Sequence, residues 1–200
     1  MYNLTNQNTI AENYALGLLP QRNDKNVFYQ ETSCRSNLAF PNLSSENRRI
    51  LRKTEEFSFE IVPIFFNLDI QKQIFNWLKV LEWDFPISSV KNVFTNHIFN
   101  YLYVWKLGNE VVAYSICYFG EDISHIAYVF YDPKYSHSDL PIRLVLQFII
   151  DSQQKNLKFA YLGRYSNYKK NMPGFENFVN NQWAQWTSTF SVLLVPWQHH

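Results

Sequence analysis

Apolar residues recur with helical spacing in NLDIQKQIFNWLKVLEW, residues 67–83. The recurring positions are Ile70, Ile74, Trp77, Leu78 and Leu81. Because an α-helix has about 3.6 residues per turn, these side chains fall on one face and the polar residues between them face water. The segment therefore predicts an amphipathic helix.

Two runs rich in β-branched and aromatic residues follow in YLYVWKLGNEVVAYSICYF, residues 101–119. Gly108 and Asn109 separate the runs and are residue types that a tight hairpin turn favours. A third run of the same kind, ISHIAYVFY, occupies residues 123–131. The pattern predicts three consecutive antiparallel strands.

A second amphipathic helix is indicated after these strands. Pro141 suits the first turn of a helix, and Ser138 or Asp139 can cap it. The apolar face would comprise Ile142, Val145, Phe148 and Ile149. KFAYLG at residues 158–163 then predicts a fourth strand, and FSVLLV at residues 190–195 predicts a fifth. A right-handed helical crossover would make the fourth strand parallel to the third.

Together these elements predict an α+β fold in which helices pack on one mixed sheet. A chain of 200 residues with 46% hydrophobic composition is long enough to bury a substantial core. Residues 1–47 are polar, rich in Asn and interrupted by Pro20 and Pro41, which indicates a short, irregular and loosely built N-terminal segment. The folded domain is expected to span residues 48–198.

The composition argues against several kinds of site. A formal net charge of +1 neither requires nor excludes nucleic acid, because a local basic patch can exist in a neutral protein. Cys34 and Cys117 are far apart and belong to no CxxC motif. His97, His125 and His137 have no metal-ligand spacing. We therefore expect neither a disulfide framework nor a metal site.

Signals for secretion or membrane insertion are also missing from the sequence. The start, MYNLTNQNTIAENYALGLL, has no basic region followed by an apolar stretch. No run approaches the roughly 20 apolar residues of a membrane span. Together with the two isolated cysteines, this predicts a soluble protein in the reducing cytoplasm.

The densest basic cluster lies in SSENRRILRK, residues 44–53. It comprises Arg48, Arg49, Arg52 and Lys53. Arg48 and Arg52 would share a helix face at i, i+4. Such a cluster can bind an anion, or it can be the solvated end of a helix.

The predicted order of hairpin, third strand, helix and parallel strand resembles that of the N-acetyltransferase-like (GNAT) fold. Acetyl-CoA users with this fold bind the pyrophosphate at a glycine-rich helix start, where backbone N–H groups and the helix dipole face the anion. The corresponding turn here, YSHSDLPIR at residues 135–143, contains no glycine, and Pro141 removes one donor. We therefore expect coenzyme A to bind weakly or not at all.

Several segments resemble the arginyl- and leucyl-tRNA-protein transferases, whose fold is similar to that of the GNATs. AYVFYDP at residues 127–133 resembles the family's VYxFYDP motif, and DLP at residues 139–141 resembles its Ser-Leu-Gly helix start. YLGRY at residues 161–165, with Lys169 and Lys170 downstream, is similar to the family's YLGYW segment and the lysines that follow it.

The resemblance continues upstream, where VFYQETSCRS and SSENRRILRK are similar to the family's cysteine-containing and arginine-rich segments. Several positions depart from the pattern. Only Cys34 matches the family's cysteine cluster, which resembles a metal or iron–sulfur site, and Asn37 replaces another member. The glycine of the helix start is Pro141, and Tyr118 stands where the family has an Asp. The resemblance thus implies the family's fold without its cluster and with an altered pocket.

In function, the resemblance implies a transferase that moves an amino acid from aminoacyl-tRNA to an amine, such as the N-terminal amine of a protein or peptide, as in N-degron formation. Aminoacyl-tRNA would be the co-substrate, and no other cofactor is expected. Two alternatives stay open. One is a catalytically silent module that binds an acidic N-terminus or a tRNA end, and the other is a GNAT acyltransferase that uses acyl-CoA.

An aminoacyl ester is already activated, so such a protein must position it, accept a proton from the amine and stabilise an oxyanion. Asp132 could orient or deprotonate the amine, although an Asp before Pro is often a turn-former. Tyr128 and Tyr131 could donate to the oxyanion or stack on the terminal adenine. Because side chains alternate along a strand, these tyrosines are expected to face opposite ways and not to share a pocket unless a bulge intervenes.

Other candidates would hold the substrates. The basic cluster, with Lys169 and Lys170, could contact phosphates of the tRNA acceptor arm. Arg35 and Arg164 could each bind a carboxylate of the acceptor in bidentate fashion, or be ordinary surface arginines. The predicted substrate-binding residues are Arg35, Tyr161, Arg164 and Tyr165.

Overall fold

The computed structural model describes residues 9–25, 27–39 and 42–185. The helices are α1 (Ile10–Ala15), α2 (Ser45–Lys53), α3 (Leu68–Val80), α4 (Ile87–Phe94) and α5 (Leu140–Gln154). The strands are β1 (Leu18–Pro20), β2 (Phe28–Gln30), β3 (Ser33–Asn37), β4 (Phe57–Pro63), β5 (Tyr101–Leu107), β6 (Glu110–Phe119), β7 (Ile123–Tyr131), β8 (Phe159–Arg164), β9 (Phe175–Val179) and β10 (Gln182–Gln185). Two 3₁₀ turns span Pro133–Tyr135 and Asn167–Asn171.

The main sheet has eight strands in the order β10-β9-β3-β8-β7-β6-β5-β4, and β1 pairs with β2 separately. β7 and β8 are parallel neighbours joined by α5, whereas the other neighbouring pairs are antiparallel. The predicted hairpin is confirmed, because Leu107 pairs with Glu110 around Gly108 and Asn109. The predicted α+β fold with a mixed sheet is confirmed as well.

Two apolar cores cover the two faces of this sheet. One packs α2 and α5 against it, with Ile50, Leu144 and Phe148 among its buried members. The other packs α1, α3 and α4, and it buries Ile74 and Val90. The predicted periodicity of α3 is confirmed in four positions, since Ile70, Ile74, Trp77 and Leu78 are buried. Leu81, the fifth, is the half-buried C-cap of the helix.

The segment before residue 48 contributes to the main sheet. β3 inserts between β8 and β9, and Tyr14 and Cys34 are fully buried. The predicted domain boundary between residues 47 and 48 stays a prediction. The predicted fifth strand at residues 190–195 lies outside the described residues, whereas β9 and β10 were not predicted.

The parallel strands β7 and β8 separate beyond their first residues. Their pairing runs only from Ile123↔Phe159 to His125↔Tyr161. Along the other edge of β7, Ile116 pairs with Tyr128 and Cys117 with Ile126, so Ala127 is an extra residue in the strand. Such a bulge bends a strand locally and disrupts its ladder. The sheet opens where β7 leaves β8.

Candidate functional site

A cavity of about 290 Å³ lies at this opening, and we call it the β7–β8 cleft. Its walls come from residues 126–131 of β7, Leu162 of β8, Pro141 and Val145 of α5, Trp83 and Phe85 of the α3–α4 loop, and Tyr168 and Lys169 of the second 3₁₀ turn. The cleft thus lies between the separated strands β7 and β8 and the start of α5.

Tyr128 and Tyr131 both line the cleft, although they pack against opposite cores as their alternation predicts. The ladder from Tyr128 to Tyr131 is regular and the bulge at Ala127 precedes both residues, so the two tyrosines stay on opposite faces of the strand. Because β8 no longer pairs with this part of β7, the cavity reaches both sides of the strand. Burial raises the pKa of both hydroxyls, which therefore remain protonated donors at neutral pH.

Lys169 carries the cationic group of the cleft. Its Nζ donates to the carbonyl oxygens of Leu162 and Arg164, each at 2.7 Å. These residues are two apart on β8, so their carbonyls lie on one edge, and the lysine supplies donors there. An ammonium has three N–H donors, and the described residues supply acceptors for two. Burial lowers the pKa of this amine.

Gly163 sits between those two carbonyls with φ +77°. This left-handed backbone conformation favours glycine. The register of β3 against β8 shifts at the same place, between Cys34 and Arg35. Gly163 therefore shapes the backbone whose neighbouring carbonyls, those of Leu162 and Arg164, accept from Lys169 Nζ.

Asp132 lies just beyond β7 and acts as a turn-former. Its carboxylate accepts from the backbone N–H of Lys134 at 3.0 Å and caps the first 3₁₀ turn. It also lies 3.5 Å from Lys134 Nζ. The residues that line the cleft do not include Asp132. Its proposed action on the amine stays a prediction.

Arg35 and Tyr161 lie in the core and line no part of the cleft. Arg35 Nε donates to Glu176 at 2.7 Å, and its guanidinium stacks on Phe159 and Trp183 at 3.6 and 4.2 Å from the ring centroids. Tyr161 is only 2% exposed. This arginine is not an ordinary surface residue, because it is buried and paired with Glu176. Carboxylate binding by Arg35 stays a prediction.

Arg164 lies at a second, smaller cavity of about 160 Å³, which shares Ala127 and Tyr128 with the cleft. Its side chain is 69% exposed and forms an ion pair with Glu31. Tyr165 is half-buried and packs its ring on Phe175. Of the four predicted substrate-binding residues, Arg164 alone lines either of these two cavities.

The basic cluster divides into two pairs. Arg49 and Lys53 both contact the carboxylate of Asp139 at the start of α5, at 3.2 and 3.3 Å. The hydrogen bond from Arg49 lowers the pKa of that carboxyl group. Arg48 and Arg52 are exposed. Half of the cluster therefore joins α2 to α5, and the other half faces solvent.

The predicted lysine pair also divides, because Lys169 lines the cleft whereas Lys170 is exposed. Three aromatic residues of the cleft, Trp83, Phe85 and Tyr168, were not predicted. Phe85 packs edge-on against Tyr128, with ring centroids 6.1 Å apart. An aromatic loop residue far from the strand motif carries no signal of this contact in the sequence.

No three His, Cys, Asp or Glu side chains come together as a possible metal site within the described ranges. Cys34 is buried, and its thiol donates to the carbonyl oxygen of Gly163 at 3.4 Å. Burial raises the pKa of this thiol to about 11. The absence of a metal or cluster stays a prediction. None of the helices described is both long and apolar enough to cross a membrane.

Two solved structures share this architecture. The C-terminal domain (DUF2156) of a protein described as a putative lysylphosphatidylglycerol synthetase, from Agrobacterium fabrum, is similar with a TM-score of 0.54 and 11% identity, over 70% of this chain and 48% of that one. A GCN5-related glucosamine N-acetyltransferase region of a fungal multi-domain GH3 β-N-acetylglucosaminidase is similar with a TM-score of 0.50 and 12% identity, over 73% and 19%. The chain thus matches about half or less of these structures, and the likeness defines a GNAT-like fold.

Residues 67–189 match the family described as "Arginine-tRNA-protein transferase, C terminus". This region is more than half of the chain, and the protein belongs to that family. The resemblance predicted from the sequence is confirmed. A comparison with curated proteins gave no match.

Proposed function

We propose that the protein transfers an amino acid from aminoacyl-tRNA to an amine, such as the N-terminal amine of a protein or peptide. The observation that carries this proposal is Lys169, whose amine lines the β7–β8 cleft and uses two of its three N–H donors on backbone carbonyls of the described residues. The family match supports the same class of reaction.

In the proposed arrangement the aminoacyl ester lies in the cleft, with its carbonyl oxygen toward Lys169. When the amine attacks the ester, negative charge develops on that oxygen. A cation fixed before the reaction stabilises the charge without reorganisation of solvent. The two carbonyl acceptors fix Lys169 in this way, and Tyr128 and Tyr131 supply further hydroxyl donors in the same walls.

The acceptor would approach from the second cavity, which meets the cleft at Ala127 and Tyr128. Its nitrogen forms a bond to the ester carbon, and the bond from that carbon to the ribose oxygen breaks. One proton passes from the nitrogen to the departing oxygen, so the reaction needs no oxidant, reductant or further cofactor. An α-amino group has a pKa of about 8, so an appreciable fraction is already neutral at physiological pH.

The start of α5 argues against coenzyme A as the donor. Pro141 lies in its first turn and lacks an N–H, and Ser138 Oγ accepts from the N–H of Leu140 at 3.1 Å. The carboxylate of Asp139 is at the same helix end. That carboxylate is paired with Arg49 and Lys53, and a pyrophosphate would meet fewer free N–H donors at this helix start than it needs.

A binding module without catalysis is the second candidate. It is favoured by Asp132, whose carboxylate is engaged with Lys134 and lies outside the cleft lining. Such a module would bind a tRNA end or an acidic N-terminus and release both unchanged.

The proposal is tested by incubating the protein with a pool of charged tRNAs and a panel of peptides, followed by mass spectrometry. We expect a mass increase of one amino acid residue on a peptide. The Lys169→Met variant should lose at least about tenfold in rate, whereas Lys155→Met, at an exposed lysine that does not line the cleft, should stay close to wild type. Binding of charged tRNA without any product would favour the binding module. Acylation from acyl-CoA would overturn the proposal.

A further inference from the structure

A buried hydrogen-bonding group lies at the wall of the second cavity. His125 is only 3% exposed, and it lines this cavity together with Tyr128 and Gly163. Among the described residues, Nε2 of its ring has no hydrogen-bond partner. A buried polar atom without a partner costs free energy, and a ligand that supplies the partner recovers it. The second cavity therefore offers a fixed polar contact to a ligand.

Tyr14 determines which nitrogen of His125 carries the proton. The Tyr14 hydroxyl lies 2.6 Å from Nδ1, and burial raises the pKa of this hydroxyl well above its usual range, so it keeps its proton. Within the described part of the chain its hydrogen-bond partner is Nδ1, so the hydroxyl proton is satisfied by donation to that nitrogen. A neutral imidazole that accepts at Nδ1 carries its proton at Nε2. The group at the cavity wall is thus an N–H donor.

Gly163 keeps the approach to this donor open. It lines the second cavity, and a Cβ at this position would lie 3.6 Å from His125 Nε2. Nε2 therefore lies on the side of the ring that faces the cavity lining, and no side chain at residue 163 stands in front of it. The cavity of about 160 Å³ has room for a group of a few heavy atoms, since one water takes about 30 Å³ in the liquid.

The lining of the second cavity favours an uncharged ligand group. Its apolar side chains are Leu19, Pro20, Phe99 and Ala127. Arg164 brings a charge to the lining, but that charge is paired with Glu31. His125 is neutral, because burial and the positive charge of Lys169 lower its pKa to about 3. A carboxylate would lose its water here and gain only a neutral donor, whereas a carbonyl oxygen would gain the same hydrogen bond without burial of a charge.

We propose that the Nε2–H of His125 binds the first peptide carbonyl oxygen of the acceptor in the second cavity. This inference rests on the proposed function, in which the acceptor amine enters the cleft from this side. The second cavity meets the cleft at Ala127 and Tyr128. In a peptide, only the α-carbon and the carbonyl carbon separate the N-terminal nitrogen from that oxygen. The nitrogen can therefore lie in the cleft while the oxygen lies beside His125.

This contact makes His125 a specificity-determining residue that selects α-amino amides, the class to which peptide N-termini belong. A simple alkylamine has no oxygen to accept from Nε2–H, and a free amino acid places a carboxylate there. Tyr14, which sets the donor, belongs to α1 and lies outside the residues 67–189 that match the family. The selection thus depends on a part of this chain that the family match does not include.

The experiment is an NMR titration of the full chain, with nitrogen-labelled histidine rings, against alaninamide, alanine and isopropylamine. Alaninamide should bind about two- to tenfold more tightly than isopropylamine, as expected for one net hydrogen bond, and should shift the Nε2 resonance of His125. Alanine should bind more weakly than alaninamide. The ring of the exposed His97 is the internal control and should not shift.

Two variants test the donor and its orientation. His125→Phe removes the donor and should abolish the preference for alaninamide over isopropylamine. Tyr14→Phe removes the hydroxyl that fixes the tautomer, so the preference should fall. His97→Gln is the matched control and should keep the wild-type preference. Thermal melting checks the fold of each variant, and if both core variants fail to fold, the three ligands and the His125 resonance of the wild-type protein decide the matter.

Tighter binding of alanine than of alaninamide would make the second cavity a carboxylate site and overturn the proposal. An unshifted His125 ring at saturating alaninamide, or no binding of alaninamide at all, would overturn it as well. The expected preferences without amino acid transfer from any charged tRNA would leave this site standing and remove the proposed reaction. Transfer at wild-type KM for peptides in folded His125→Phe and Tyr14→Phe would remove the contact and leave the reaction.

Discussion

The hydroxyl of Tyr14 lies 2.6 Å from Nδ1 of His125 in the core beside the β7–β8 cleft. Tyr14 belongs to α1 and His125 to β7, so this hydrogen bond ties the N-terminal segment to the strand that forms the cleft. Within the described ranges, Nε2 of His125 has no hydrogen-bond partner. A neutral histidine with Tyr14 donating to Nδ1 carries its proton on Nε2.

The pH dependence of folding should report on this histidine. Burial and the positive charge of Lys169 lower the pKa of His125 to about 3, compared with 6.5 for an ordinary histidine. Between these values the unfolded chain binds a proton that the folded protein does not bind. The contribution of His125 to stability is therefore complete above about pH 6.5, and it falls as the pH falls toward 3, by up to about 1.4 kcal/mol per pH unit.

Urea unfolding at pH 7 and pH 5 tests whether the free energy of unfolding falls as the pH falls. His125→Phe should lower stability at pH 7, because it leaves the Tyr14 hydroxyl without its partner, but it should also reduce the loss between pH 7 and pH 5. His97→Gln changes an exposed histidine and should keep the wild-type loss. An identical pH dependence in His125→Phe and wild type would contradict the buried neutral histidine.

Substitution of Gly163 should separate stability from transfer. Both Gly163 and Gly108 have positive φ, at +77° and +58°, so Ala at either position should cost roughly 1 kcal/mol of stability. A Cβ at Gly163 would lie 3.6 Å from His125 Nε2, and at Gly108 it would meet nothing within 4 Å. Since Leu162 and Arg164 carry the carbonyls that hold Lys169, only Gly163→Ala should reduce the transfer rate by more than the loss of folded protein explains. Equal transfer rates in the two variants would contradict this role.

The buried ion pair between Arg35 and Glu176 should matter for folding. Arg35→Met leaves Glu176 buried without its charged partner, which typically costs about 3–5 kcal/mol. Lys106→Met breaks the exposed pair with Glu60 and should cost less than about 1 kcal/mol. Chemical denaturation measures both losses. A normally stable Arg35→Met with a raised KM for acidic peptides would instead support the carboxylate-binding role predicted from the sequence.

Substitutions in the two pairs of the basic cluster should have different effects. Arg48 and Arg52 are exposed, so a double alanine variant should weaken tRNA binding and reduce the slope of log affinity against log salt by about 0.7–0.9 for each phosphate that the protein no longer binds. Arg49 and Lys53 are paired with Asp139, and their replacement should loosen α2 from α5 instead. Filter binding across a salt series distinguishes the two. If the wild-type protein shows no salt-dependent affinity for tRNA, the basic cluster is only the solvated end of a helix.

Local sequence was sufficient to predict the elements whose residues are close neighbours in the chain. α3 follows from its apolar spacing, the β5–β6 hairpin from Gly108 and Asn109, and α5 from Pro141 and the face beyond it. The AYVFYDP and YLGRY motifs led to the family for the same reason, since each is a short run of adjacent residues. These features depend on local backbone preferences and on side-chain periodicity, which a single stretch of sequence contains.

Which distant residues meet depends on how the whole sheet is assembled. The insertion of β3 between β8 and β9, the burial of Arg35, and the division of the basic cluster by Asp139 all join positions far apart in the chain. The bulge at Ala127 and the early end of β7–β8 pairing open the cleft, and Lys169 lies in it by donating to β8 carbonyls beyond the end of that pairing. Such contacts arise from packing and from the need to satisfy buried polar groups, and neither can be evaluated from one stretch of sequence.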